Sequence, residues 1–441
     1  MPLLAGAAMA DISPLAPLHL AGYPNVERIS TDLHDPLLAT ALALDDGSTR
    51  LLIVSTDSLY VQKDAVGRVR TRIEALTGIP AAHILVAATH THSGPLTVDR
   101  PYRQDSPTTP PPDPAYLRRL EDGIVESAVA AWRDRRAAEA AFGEADGSAV
   151  GGNRRDPAGP ANPRMPILAL REAHGGKPLA LLTLCCMHPT VLHEDSTLVS
   201  ADFPGAMRRF LREQAGFAAP VLYLSGPAGN QSPRHVARAN TFEECDRLGG
   251  LLGQSVARAL GRLSAHDPAI PLRVAGTIVE LPRREFPEPV GAAAAAKQAQ
   301  ARWESMKRAG LPTGKVRTAE CDWFGAARLA WLARFAANGG MDEATARLMP
   351  AEIQVLGIGP LTLVAWPGEM FVEFGLEVMA FHPGAHVVAY ANGEVDGYLV
   401  TAEAAAEGGY EAAGALFKSP ESGRLLVART LDLLRREGGA R

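Results

Sequence analysis

Residues 84–95 read ILVAATHTHSGP, and the organisation of the chain turns on this stretch. Ile84, Leu85 and Val86 form a short apolar run, the signature of a buried strand. The run continues through Ala87 and Ala88 into Thr89-His90-Thr91-His92 and is stopped by Gly94-Pro95, a strong breaker. Histidines at i and i+2 on a strand share a face, because side chains alternate with period two. Two imidazoles would then stand together where a buried strand ends, the usual place for chemistry in α/β proteins. A metal ligand beside a general base is one reading; a pair of solvated loop histidines is the other.

The same arrangement recurs along the chain. The apolar run 179–187 ends at His188-Pro189, and the run 221–224 passes into SGPAGNQSPR, residues 225–234. A hairpin over 353–364, turning at Gly359-Pro360, leads to WPGE at 366–369, and the run 387–390 precedes Asn392-Gly393 and Asp396-Gly397-Tyr398. Residues 3–12 read as an edge strand, and 37–44 with 50–55 as a hairpin-like pair. Helical spacing marks 64–76, 115–137 and 424–435, and Thr241 with Glu244 reads as a capping box opening a helix over 241–263. The segment 99–114, with Pro110-Pro111-Pro112, is expected to be extended and exposed as a rim beside the histidines. From 290 to 348 the composition shifts to Ala, Arg and Gln with helical spacing, interrupted near 310–314. This pattern predicts an α/β fold, a mixed β-sheet core flanked by helices. A single catalytic domain is expected over 1–441, with 290–348 as a helical excursion within it.

Composition narrows the function classes. Apolar residues make up 46% and charged residues 21%, the balance of a globular protein. A net charge of −5, from 44 basic and 49 acidic side chains without clustering, gives no footprint for nucleic acid or anionic lipid. Cys185, Cys186, Cys245 and Cys321 show no C-x-x-C spacing, so free thiols are expected rather than a zinc knuckle or disulfide framework. No apolar run reaches the length of a membrane span, and residues 1–14 lack the basic and apolar regions of a signal peptide. A soluble, cytoplasmic protein without stable membrane insertion is the expectation.

The strand-end residues offer a donor set. His90, His188 and Glu369 would supply imidazole and carboxylate donors to zinc, with Tyr398 as a fourth. His92 would then be placed to take a proton, and Arg154 to hold an oxyanion. Taken singly, His188 reads as a packed strand-end histidine, Glu369 as an acid at a helix N-terminus, Tyr398 as a core or rim residue, and Ser232 as a cap.

Together, AATHTHSGP, MHPT with SADFPG, GPAGNQSPR, WPGE and GYLVT resemble the neutral ceramidase family, specifically its N-terminal catalytic domain, in order and approximate spacing. The resemblance implies zinc bound by His90, His188, Glu369 and Tyr398, with His92 and Arg154 contacting the site. It makes Ser232 either a nucleophile or a substrate contact, and His34 resembles a further histidine near the centre. The chain departs from the family pattern at Gly229-Asn230-Gln231-Ser232, where Gly-Asp-Val-Ser is usual, and in having Ser-Ala-Asp-Phe-Pro-Gly at 200–205. No immunoglobulin-like C-terminal domain is expected. The implied activity is zinc-dependent hydrolysis of an N-acyl amide, ceramide-like or another small or lipidic amide, by activated water, which places the protein in sphingolipid or related lipid metabolism. The alternatives are a zinc esterase or acyl hydrolase on the same site, and a catalytically silent homologue that binds a metal or ligand.

Overall fold

Leu42 and Leu44 on the Leu38–Asp45 strand point into one hydrophobic core, while Ala39, Ala41 and Ala43 point into another. Burial on both faces is what an interior strand requires, and it accounts for the near-continuous apolar runs in the sequence. The structure, a computed structural model, describes residues 2–103, 106, 108–173 and 175–438. Gln104, Asp105 and Pro107 of the expected proline-rich rim lie outside the described residues.

The larger sheet has eight strands in the order Val221–Ser225, Pro178–Cys185, Arg164–Glu172, Arg136–Asp146, Leu4–Asp11, Leu38–Asp45, Arg50–Thr56, Ile84–Ala88. The outermost pair at each end is parallel and the interior pairs are antiparallel. The expected edge strand 3–12 is therefore interior. Leu4–Asp11 pairs along its length with Leu38–Asp45 and, through Leu4 and Ala5, with Arg136 and Ala137. The strand supplying that second partner, Arg136–Asp146, has no signal in the apolar pattern, and the helix expected to reach 137 ends at Arg133. A four-stranded sheet follows, in the order Leu272–Val279, Ala351–Ile358, Leu361–Ala365, Ala385–Val388, with the last pair parallel.

The two sheets share a core. Leu42, Ile53, Leu168 and Leu182 of the larger sheet pack with Leu356, Ile358 and Leu363 of the smaller. Helices Lys63–Thr77 and Pro114–Arg133 cover one part of the larger sheet's outer face through Val66, Val69, Leu120 and Ile124. Helices Asp202–Glu213 and Phe242–Leu260 cover another part through Met207, Leu211, Leu248 and Leu252. Thr241 caps the second of these, its side chain accepting from the Glu244 N–H. Val378 of Val372–Phe381 and Leu426 of Ser419–Gly438 pack over Ile353, Val355 and Val387 of the smaller sheet. The fold is thus mixed α/β, with sheets facing each other and helices outside. Between strands Leu272–Val279 and Ala351–Ile358 the chain forms three helices, Pro289–Arg308, Thr313–Ala337 and Met341–Leu348, the helical excursion seen in the sequence. Among the described residues no helix is long and apolar enough to cross a membrane.

Candidate metal centre

Strands Ile84–Ala88, Pro178–Cys185, Val221–Ser225, Leu361–Ala365 and Ala385–Val388 end on the same side of the molecule, and the chain after each contributes to one site. Ala88 donates its N–H to the Tyr390 carbonyl (3.1 Å), and Ser225 Oγ donates to the Thr89 carbonyl (2.7 Å), so these ends are tied together. Asn392 fastens the two sheets: its N–H reaches the Val86 carbonyl at 2.8 Å and its Oδ1 accepts the Val86 N–H at 3.0 Å.

His90 lies just past its strand, with φ at +67°, in the left-handed region that L-residues rarely occupy. Strand alternation therefore does not set its direction. The backbone reversal does, and it still brings His90 Nε2 within 3.3 Å of His92 Nε2. The pairing of the two histidines expected from period two is realised by another route. Tyr390, also left-handed at φ +54°, stacks on the His90 ring at 3.9 Å. Non-glycine residues held in this region cluster at functional sites, where the surroundings must over-determine them.

The ring nitrogens of His90, His92 and His188 lie within 4.8 Å of one another, and all three residues are buried. His90 Nδ1 meets the Leu59 carbonyl at 2.9 Å, and His188 Nδ1 meets the carbonyls of Ala228 and Gln231 at 2.5 and 3.1 Å. A carbonyl only accepts, so each Nδ1 carries the ring proton and each Nε2 presents a lone pair to the centre. Those lone pairs face Glu369: Oε1 is 3.7 Å from His90 Nε2 and Oε2 is 3.3 Å from His188 Nε2. Burial pushes the His90 imidazole down to about 3, against the opposing pull of Glu369, so at neutral pH it brings no proton to this contact. Acceptors facing one another in a buried site call for a cation between them. Two tautomer-fixed imidazoles, a third imidazole and a carboxylate fit a metal ion, and borderline ions such as zinc take this donor set.

Tyr60 donates its hydroxyl to Glu369 Oε1. Burial raises a carboxylate's pKa, and the Tyr60 hydroxyl bonded to Oε1 opposes that by favouring the ionised form. Glu369 and Tyr398 are register partners in a two-residue parallel pairing, which sets Tyr398 beside the carboxylate, its ring 6.4 Å from that of His188. Burial, Glu369 and Tyr410 push the Tyr398 phenol up, and Arg154 pulls it back.

His92 differs from the other two histidines. Among the described residues its Nδ1 has no partner, and its ring backs onto Gly22, where an added Cβ would come within 2.4 Å of Cγ. Tyr23 meets the ring edge-on at 5.3 Å, and Arg28 Nη1 holds the His92 carbonyl at 2.8 Å. Burial, reinforced by His90 and His188, pushes this imidazole well below its ordinary pKa.

Arg154 is close to the centre but not free. Its Nε is bound to Glu411 Oε1 at 3.0 Å, and its guanidinium sits 5.4 Å from the Tyr398 ring centre, with Nη2 buried and unpartnered. Ser232 pairs with Gly152 beside the Asn153-Arg154 loop, and its Oγ accepts the Arg234 N–H at 3.3 Å. Among the described residues Ser232 makes no hydrogen bond to the histidines or Glu369. The loop carrying it acts on His188 through the Ala228 and Gln231 carbonyls. His34 stands elsewhere, bonded to Asp35 at 2.7 Å and stacked on Phe242.

A cavity adjoins the centre, lined by His90, His92, Glu369 and Tyr398 and, beyond them, by Arg100, Tyr102, Arg103 and Arg328. The proline-rich segment and the helical excursion both contribute to that wall. Tyr60, Tyr390, Arg100 and Arg328 have no signal in the sequence patterns.

A buried, cation-demanding cluster at the strand ends of an α/β fold defines a candidate metal centre. Residues 3–219 match the family described as neutral/alkaline non-lysosomal ceramidase, N-terminal. Two solved structures share the fold at a TM-score of 0.75. A ceramidase complexed with C2 is 18% identical, with 99% of this chain and 76% of that chain covered. A neutral ceramidase from Pseudomonas aeruginosa is 19% identical, with 99% and 75% covered.

Proposed function

We propose that this protein is a zinc-dependent amide hydrolase that cleaves an N-acyl bond, ceramide-like or from another lipidic or small amide. The observation that carries the assignment is the pair of Nε2 lone pairs, fixed by carbonyl-bound Nδ1 atoms, facing the Glu369 carboxylate in a buried site. The family match over residues 3–219 and the resemblance to a ceramidase complexed with C2 support the amide and acyl chemistry.

In this assignment His90, His188 and Glu369 hold the metal, with Tyr398 beside them. A zinc ion there supplies Lewis-acid polarisation of the acyl carbonyl and a more acidic attacking water. His92 is the proton carrier. It lacks the carbonyl anchor that marks His90 and His188 as ligands, and its Nε2 faces the centre while Nδ1 backs onto Gly22. Held neutral by burial, it accepts the proton of the attacking water at Nε2 and returns it to the departing amine nitrogen. Arg154, fixed by Glu411, directs its unpartnered Nη2 toward developing negative charge beside Tyr398. Ser232 contacts the polar part of the substrate from the paired 152–153 and 231–232 segments. A covalent serine mechanism is the less favoured version, since among the described residues no base is bonded to its hydroxyl.

The test is release of free amine from a panel of N-acyl amides and matched esters, with metal content measured on the same preparations. His92→Ala is expected to keep its metal and lose about 10²–10⁴-fold in rate. His90→Ala is expected to lose both. Retention of bound metal and full activity in His90→Ala would overturn the site, and loss of metal in His92→Ala would make His92 a third imidazole ligand.

A further inference from the structure

The cavity beside the metal centre is lined on its far side by three arginines, and their charge is only partly answered. Arg100 and Arg328 both bind Oδ1 of one carboxylate, Asp396. Arg328 Nε is buried and, among the described residues, has no hydrogen-bond partner. Arg103 is 4% exposed and among the described residues has no carboxylate at all. Its Nη1 donates to the Pro24 carbonyl at 2.8 Å and Thr109 Oγ1 at 3.4 Å, its Nη2 to Asn25 Oδ1 at 3.3 Å, and its guanidinium rests on Trp331 at 4.6 Å. Between them stands Tyr102, whose hydroxyl accepts from Arg100 Nη1 at 3.4 Å. Among the described residues a second nearby acid, Glu394, is pushed up to about 7 by burial, with Arg100 and the Lys63 N–H opposing, so it is only partly ionised near neutral pH. Glu369 is committed to the histidines across the cavity.

Burying a guanidinium away from water is costly unless an anion pairs with it. Three of them lining one wall, with one carboxylate shared by two, leave a positive field facing the space a substrate would fill. Arginine is also the side chain that binds a planar carboxylate in two parallel hydrogen bonds. The rim loop supplies Arg100 and Arg103, and the helix Thr313–Ala337 supplies Arg328.

We propose that Arg100, Arg103 and Arg328 form an anion subsite that selects amides bearing a carboxylate, as in an N-acyl amino acid. This rests on the amide-hydrolase reading above. Water adds across the C–N bond, the acyl half leaves as a carboxylic acid and the amine half as an amino acid, and the arginines hold the carboxylate already present on that half. A neutral amide of the same shape leaves the arginine wall unpaired, and discrimination by loss of a buried charge partner is steep.

N-octanoylglycine and its uncharged isostere N-octanoylglycinamide test this directly. Two readouts serve: hydrolysis by the wild-type protein, and calorimetric binding to His92→Ala, where turnover does not interfere. At least tenfold preference for the carboxylate is expected in kcat/KM and in Kd. Arg103→Gln should bring both ratios to within about twofold of unity, and Arg103→Lys, which keeps the charge, should retain part of the preference. Equal handling of the two compounds by the wild-type protein overturns the subsite while leaving amide hydrolysis standing. Tighter carboxylate binding without hydrolysis of either compound overturns the amide assignment and leaves the subsite standing. Absence of both binding and hydrolysis for both compounds overturns the subsite.

Discussion

His386 is buried on the strand Ala385–Val388 with Nδ1 unpartnered, and burial, aided by Arg164, pushes its imidazole from 6.5 down to about 4. The unfolded chain takes up a proton near the ordinary value while the fold resists it until about 4. Stability from this group is therefore full above pH 6.5 and lost as pH falls toward 4. At about 1.4 kcal/mol per pKa unit the loss is on the order of 3 kcal/mol. His386→Leu should remove that slope, so urea unfolding of wild type and variant should differ progressively between pH 6.5 and 4. Parallel curves across that range would show that the group contributes nothing. Gly22 sits at φ +96°, and its missing Cβ leaves room for the His92 ring. Gly22→Ala should displace that ring and lower turnover about 10²-fold, the usual effect of misplacing a reacting group by an ångström. Bound metal should be unchanged, because His92 is not among the assigned ligands. Tyr60→Phe acts on the ligands instead. Without the hydroxyl, Glu369 loses its neutral donor, and metal affinity measured by competition with a chromogenic chelator should fall about 10–100-fold.

Asn392 does at element scale what those residues do locally. It holds Val86 by two backbone hydrogen bonds and passes its side-chain amide to Gln354 Oε1 at 2.9 Å, joining the edge of the larger sheet to the smaller. Its φ of +59° suits asparagine and disfavours alanine. Asn392→Ala should cost about 1–3 kcal/mol for the stranded Val86 N–H, with a further increment from backbone strain. Loss of activity should accompany it, because His90 follows that strand. Elements with long apolar runs, such as Ile84–Ala88 and Pro178–Cys185, were legible because a doubly buried strand must be apolar throughout. Arg136–Asp146 was not: RAAEAAFGEAD contains no β-branched residue, and its local preference is helical. Pairing with Arg164–Glu172 along nine residues overrides that preference. The same blindness hid the true place of Leu4–Asp11, since an interior position cannot be read without knowing the neighbour. Glu369 and Tyr398 were found as residues, but their pairing is two residues long and leaves no period to detect.

At the scale of the whole molecule, the proposed metal ligands come from segments that meet only when both sheets are assembled. His90 follows an edge strand of the larger sheet, His188 follows a strand near its other edge, and Glu369 follows a strand of the smaller sheet. The unfolded chain offers no comparable site, so any ion bound here binds the native state and adds RT ln(1 + [L]/Kd) to its stability. The increment cannot remain local, because the ligands span the core shared by the two sheets. Family-scale resemblance in the sequence could order these residues, but only the assembled fold brings the three separated motifs together. Removing the metal with a strong chelator should therefore lower the midpoint of a single thermal transition rather than melt one lobe early. Readdition of zinc at about a thousandfold over Kd should restore about 4 kcal/mol. Calorimetry of chelated and zinc-loaded protein makes the comparison, with His90→Ala as the control expected to show no zinc response. A zinc-induced shift of equal size in His90→Ala would place the ion elsewhere. A second, separate transition in the chelated protein would show that the two sheets do not melt together.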